Sequence, residues 1–90
     1  MWKGRQPVMD WCHVTFASSS GAIAAQRALG EVCPAVVMPV LRQVSAGCGI
    51  ALRLAPEDWE KARGALEAAG IAAGYYAVSG TGEALRCERL

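Results

Sequence analysis

The spacing of apolar positions changes period several times along the chain, and each change marks an element. Cys12, Val14 and Phe16 alternate with His13 and Thr15, so Cys12–Phe16 reads as a strand with those three residues on one face. Ser18-Ser19-Ser20-Gly21 follows, and a hydroxyl there can accept from the free N–H groups that open a helix. Ala22, Ala25, Leu29 and Val32 then recur at helical spacing, with Arg27 and Glu31 on the opposite side. Gly30 weakens the last turn and Pro34 ends any continuation. A second strand is predicted over Ala35–Leu41. Pro39 assigns it to a sheet edge, because proline has no N–H for a ladder. Gln43–Gly49 is a loop, and Ile50–Leu54 a third strand with Ile50, Leu52 and Leu54 on one face.

Pro56-Glu57-Asp58 opens a second helix, where proline suits the first turn and carboxylates complement the positive end of the dipole. Trp59, Ala62, Leu66 and Ala69 form its predicted apolar stripe, and Glu57 and Lys61 an i, i+4 pair. Gly70 suits the left-handed residue after the helix, with Ile71 as its hydrophobic contact. Gly74–Val78 is the fourth strand. Tyr75 and Tyr76 point to opposite faces, one expected buried and one exposed. The order strand, helix, strand, strand, helix, strand predicts an α+β, ferredoxin-like βαββαβ domain. Its four-stranded antiparallel sheet would have order 4-1-3-2, with both helices on one face. The expected boundaries are an irregular lead-in over 1–11, a single domain over 12–79 and a C-terminal tail over 80–90.

Composition narrows the function. With 90 residues the chain buries too little surface for a deep, elaborate cavity, so a carrier or interaction module fits better than a turnover enzyme. Nine Lys and Arg against eight Asp and Glu are scattered, with no basic stripe, so no nucleic-acid partner is expected. The longest apolar stretches, such as Ala35–Leu41, are far shorter than a membrane span, and Met1–Asp10 carries no apolar run of a secretory signal. A cytoplasmic setting is the expectation. Four cysteines stand far apart without a CxxC, and His13 is the only histidine. Neither a zinc site nor a disulfide framework is indicated, and no metal or cofactor is expected. Cys12 and Cys33 read as core residues, Cys87 as an exposed thiol on the tail, and His13 as a strand residue with a satisfied ring.

Cys48 is different because the predicted topology brings its loop to the same end of the sheet as the start of the first helix. Free N–H groups there favour an anion, and the run Ser18–Gly21, with Ser19 and Ser20 as candidate binding residues, lies at that point. Gly47 and Gly49 flank the sulfur and could turn their own N–H groups toward it, with Ser45 nearby. A free thiol is only a few per cent ionised near neutral pH, and about 2 kcal/mol of local field makes one mostly thiolate. The plainer alternative is that Cys48 is a small buried hydrophobe.

VTFASSSGAIAAQRAL, then CPAVVMPVLRQVSAGCGIALRLAPED, then an amphipathic helix ending in AAGI, resembles the small bacterial family of selenium/sulfur carrier protein-like domains, over roughly Cys12 to Val78. The most specific part is Ser45-Ala46-Gly47-Cys48-Gly49-Ile50-Ala51-Leu52-Arg53, similar to that family's Ser-x-x-Cys-Gly-Leu-Ala-Leu signature. The chain departs at Val32, where the family usually has glycine, and at Gln26 or Arg27, where an acidic residue is frequent. Cys33-Pro34 has the look of the Cys-Pro motif of other sulfur-transfer carriers, but follows a helix instead of preceding one, so that role is not carried over. The resemblance implies that Cys48 accepts sulfur or selenium as a persulfide or selenopersulfide. A donor such as a cysteine desulfurase would load it, and an acceptor enzyme would unload it. The rival reading is a regulatory or protein-interaction module, with Cys48 structural and the edge near Val36–Val40 as its interface, open to a homodimer. A weaker third is a metal or redox site pairing Cys48 with another cysteine.

Overall fold

The computed structural model describes residues 9–44 and 48–90. Along the chain run β1 (Trp11–Thr15), α1 (Ser19–Ala28), β2 (Val36–Pro39), β3 (Ile50–Leu54), α2 (Trp59–Ala68), β4 (Gly74–Ser79) and β5 (Arg86–Arg89). Short 3-10 turns occupy Pro56–Asp58 and Gly82–Ala84. The strands form one antiparallel sheet in the order β2-β3-β1-β4-β5. This corrects the expectation of a four-stranded sheet: the first four strands keep the neighbour order 4-1-3-2, and a fifth strand stands outside β4. The residues read as a tail supply β5, which pairs with β4 through Tyr76↔Arg89 and Val78↔Cys87. A polar composition hid it, because Arg86, Glu88 and Arg89 are suited to a solvated edge that resists pairing with other chains.

α1 opens as its serine run suggests. Ser18 is the N-cap, and its Oγ accepts from the Gly21 N–H at 3.2 Å. Arg27 in the last turn complements the negative end of the dipole. The helix stops at Ala28, so Glu31 falls outside it and cannot make a helical i, i+4 pair with Arg27. α2 follows the 3-10 turn that begins at Pro56. Lys61 bonds Asp58 at 3.4 Å instead of the expected Glu57, since Asp58 lies one turn before it across the junction. At the other end, Gly70 has φ +74°, the Gly70 N–H donates to the Glu67 carbonyl and the Ile71 N–H to the Leu66 carbonyl. That pair of bonds satisfies the last carbonyls of the helix.

Both helices pack on one face of the sheet. Cys12 and Val14 from β1, Leu52 and Leu54 from β3, Leu29 after α1 and Leu66 from α2 meet in one buried cluster. Ala69, read as part of the buried stripe, is exposed, because the stripe of α2 ends with Leu66 before the capping turn. The opposite face is also closed around β1, where Trp11, His13 and Thr15 are buried. Tyr75 points to the helix side, with its ring centroid 6.1 Å from that of Trp59, and Tyr76 to the other. Both tyrosines are half-buried, not one buried and one exposed.

The β4–β5 turn is tied to the entry of β1 by the Gly80 N–H, which donates to Asp10 Oδ2 at 2.9 Å. Gly80 has φ +81°, and a Cβ there would run into the carbonyl of Ala84. Gly49, by contrast, has open space around the position of a Cβ and no left-handed φ. Gly80→Ala is therefore expected to destabilise the protein by about 1–3 kcal/mol. Gly49→Ala should change stability by no more than about 0.5 kcal/mol. Urea unfolding of both variants beside the parent chain measures this difference.

Candidate functional site

The register places the start of β3 beside the end of β1, through Thr15↔Ala51. From Thr15 the chain passes through Phe16 to the Ser18 cap, so Cys48 and the beginning of α1 share one end of the sheet. Two backbone bonds tie the described parts of the connection between β2 and β3. The Val40 N–H donates to the Gly49 carbonyl at 3.2 Å, prolonging the β2–β3 ladder by one step, and the Val44 N–H donates to the Leu41 carbonyl at 3.0 Å. Ser45 and Gly47, both expected at the site, lie outside the described residues.

Cys48 is half-buried and packs against the helix-side cluster, as does Ile50 two residues on. Its Sγ–H donates to the Ile50 carbonyl at 3.4 Å. The expectation that backbone amides shelter the sulfur is thus not met by this contact, whose partner is an acceptor suited to the neutral thiol. Gly49 is exposed and contributes its carbonyl to Val40. Ser19 and Ser20 are exposed in the first turn of α1. Ser20 Oγ is 3.1 Å from Ser18 Oγ, so its recorded bond is within the cap and not to sulfur. Ser20 also lines an apolar groove with Ile23, Arg27, Ala69 and Ile71, and Cys48 is not among the residues lining that groove.

The other three thiols have distinct surroundings. Cys12 is fully buried in β1, and burial pushes its pKa up to about 12, against a smaller lowering effect from a backbone hydrogen bond with Tyr76. Cys33 is buried after α1 and shifted up, by desolvation first and then by the nearby Asp58 carboxylate. Cys87, expected as an exposed tail thiol, is half-buried on β5 and shifted up by burial. All four cysteines are free. Among the described residues no group of three or more His, Cys, Asp or Glu side chains could hold a metal ion, and no helix is long and apolar enough to cross a membrane.

His13, expected as a strand residue with a satisfied ring, makes a contact that the sequence did not indicate. It is fully buried on the face away from the helices, yet its Nε2 accepts the Leu41 N–H at 3.3 Å, from the connection that leads to Cys48. The ring is not satisfied as expected, because Nδ1 is buried without a hydrogen-bond partner among the described residues. Strand alternation placed His13 opposite Cys12 and Val14. Nothing in the sequence indicated that a segment 28 residues away would return to that face.

Comparison with known proteins adds a single finding. No curated protein and no solved structure matches the chain. One family model does, over residues 12–78, which takes in α1, Cys48, α2 and the first four strands. Since that span is well over half of the sequence, the chain belongs to the family described as "Putative Se/S carrier protein-like".

Proposed function

We propose that the protein carries sulfur or selenium on Cys48, within a ferredoxin-like unit of residues 12–79 that β5 extends at one edge. The observation that supports this most directly is the contrast among the thiols. Cys12 and Cys33 are packed into the core and hard to ionise, while Cys48 stands half-exposed in the connection before β3, inside the segment that the family matches. A donor must reach the sulfur, and a position just outside a strand permits that approach.

In the loading step the Cys48 thiolate attacks the terminal sulfur of a persulfide on a donor, such as a cysteine desulfurase. A new S–S bond forms at Cys48, the donor's S–S bond breaks, and the donor cysteine leaves as thiolate. The sulfur moves with no net oxidation, and the same exchange with selenium yields a selenopersulfide. In the unloading step a nucleophile of the acceptor enzyme attacks the terminal atom and Cys48 leaves as thiolate. The neutral thiol donates to the Ile50 carbonyl. A thiolate or persulfide anion has no hydrogen to donate and is repelled by that oxygen, so the charged group turns out of the contact. Gly47 and Gly49, the chain neighbours of Cys48, and Ser45, Ser19 and Ser20 are the candidates to bind the anion once it has turned. A reducing cytoplasm, where an unpaired thiol persists, suits this chemistry.

A second reading has its own support. Val36 and Val37 are 60% and 48% exposed on β2, an edge strand bonded only to β3 within the sheet. Such an edge can take up a strand from a partner or from a second copy of the chain. In that reading Cys48 is structural.

Incubation with a cysteine desulfurase and either cysteine or selenocysteine, followed by intact mass analysis, separates the two. The carrier gains one sulfur or one selenium atom in the parent chain and none in Cys48→Ser. Equal labelling of both, or of neither, favours the interaction module. A second expectation concerns selectivity. At pH about 7.5, where thiols with raised pKa values stay protonated, iodoacetamide should modify Cys48 at least about tenfold faster than Cys12 or Cys33. Peptide mapping over a time course reads the four rates, and comparable rates at Cys12 or Cys33 would remove the basis for the assignment.

A further inference from the structure

His13 occupies the centre of β1, opposite Arg53 on β3 and Tyr76 on β4. Trp11 stands edge-on to it, with ring centroids 5.5 Å apart, and the ring is wholly screened from solvent. Only an unprotonated ring nitrogen can accept the Leu41 N–H, so in the neutral imidazole the proton resides on Nδ1. The contact joins the sheet to the connection that carries the cysteine by a short covalent and hydrogen-bonded path. Leu41 follows Val40, the Val40 N–H donates to the Gly49 carbonyl, and Gly49 is the chain neighbour of Cys48.

We infer that His13 is a positioning residue, a latch that holds Leu41, at the start of the segment leading to Cys48, on the sheet through its unprotonated Nε2 and lets it go when the ring takes up a proton. The value of such a latch rests on the carrier reading, while the latch itself rests on the contact. Protonation puts an N–H on Nε2 directly opposite the Leu41 N–H, so two donors face each other where one bond had been.

The surroundings oppose that protonation. On this face β3 presents Arg53, β4 presents Tyr76, and β5 presents Cys87 and Arg89, while β2 supplies only Val36 and Met38. Arg53 lies over the Trp11 ring at 4.7 Å and Arg89 over Tyr76 at 5.9 Å. Arg42 follows Leu41 in the connection and is exposed. No carboxylate holds a register position on this face among the described residues. Asp10, at the entry of β1, lines a surface groove with Trp11 and Arg53, and its Oδ2 is engaged by the Gly80 N–H. Burial also lowers the His13 pKa from its ordinary 6.5. The sign follows from this direction. The unfolded chain binds the proton first as pH falls, so the stabilisation is present above about 6.5 and is lost on descending toward the folded value.

The test is NMR of the full chain with labelled histidine and backbone nitrogen. At pH 7 the ring should show an unprotonated Nε2 and a protonated Nδ1. Exchange of the Leu41 amide, corrected for its intrinsic rate, should accelerate roughly five- to tenfold in His13→Leu, as expected for loss of one hydrogen bond. It should accelerate likewise in the parent chain as the ring titrates on the acid side. His13→Gln, whose Oε1 can accept the same N–H, should keep the protection and lose the pH step. A proton on Nε2 at pH 7, or Leu41 exchange that ignores the ring's titration, would overturn the latch. If His13→Leu does not fold, the titration of the parent chain and of His13→Gln still decides. Failure of Cys48 to take up sulfur in the mass experiment would count against the carrier reading and leave these NMR outcomes unaffected, so the two failures are distinguishable.

Discussion

The structure depends on β1 being buried from every side. β3 and β4 occupy both its edges, the helices cover Cys12 and Val14, and Trp11, His13 and Thr15 are closed off on the reverse. A strand with no free surface fixes what surrounds it, because a slip of one residue would exchange the two buried sets. Cys12 and Val14 would then meet the reverse face, and His13 would enter the apolar layer beneath α1 and α2. The register of β1 is therefore well determined, and it sets the positions of Thr15 against Ala51 and of the α1 cap beside the start of β3.

The same burial sets Cys12 and Cys33 apart from Cys48 and Cys87, which are half-buried. A cysteine inside the sheet or behind a helix loses the hydration that a thiolate needs, and Cys12 and Cys33 behave as small apolar side chains. Cys48 stands two residues before β3, close enough to the core to be oriented by it and far enough from the ladder to be reached. The family match spans Cys48 together with most of the domain, and the packing distinguishes its surroundings from those of Cys12 and Cys33. The family model rests on residue pattern alone, whereas the contrast in thiol environment rests on packing.

The helix-side architecture was largely legible before any coordinates. A cap within the run Ser18–Ser20, Gly70 as a left-handed terminator, Pro39 on an edge strand and Ile50–Leu54 as a strand each rest on local chemistry that a few neighbouring residues decide. Two features were not legible for a common reason. β5 lacks an apolar alternation of its own and forms because β4 offers it an open ladder. Lys61 chose Asp58 over Glu57 because a 3-10 turn precedes α2 and alters the angular spacing of the first carboxylates. At the site, Cys48 and Gly49 could be singled out from the motif, but the direction of the sulfur could not. Its hydrogen bond goes to the Ile50 carbonyl and not to amides at the start of α1.

The amino-acid sequence alone determined the alternation of the first four strands with the two helices, the serine run that caps α1, the glycine that ends α2, and Cys48 as the candidate thiol. These follow from interactions among residues close together in the chain, where spacing and side-chain type suffice. Only the tertiary structure decided that a fifth strand extends the sheet at one edge, that three thiols are desolvated, and that His13 meets Leu41. Those outcomes depend on which distant segments come to share one surface, and burial, which sets the strength of each contact, exists only once they do.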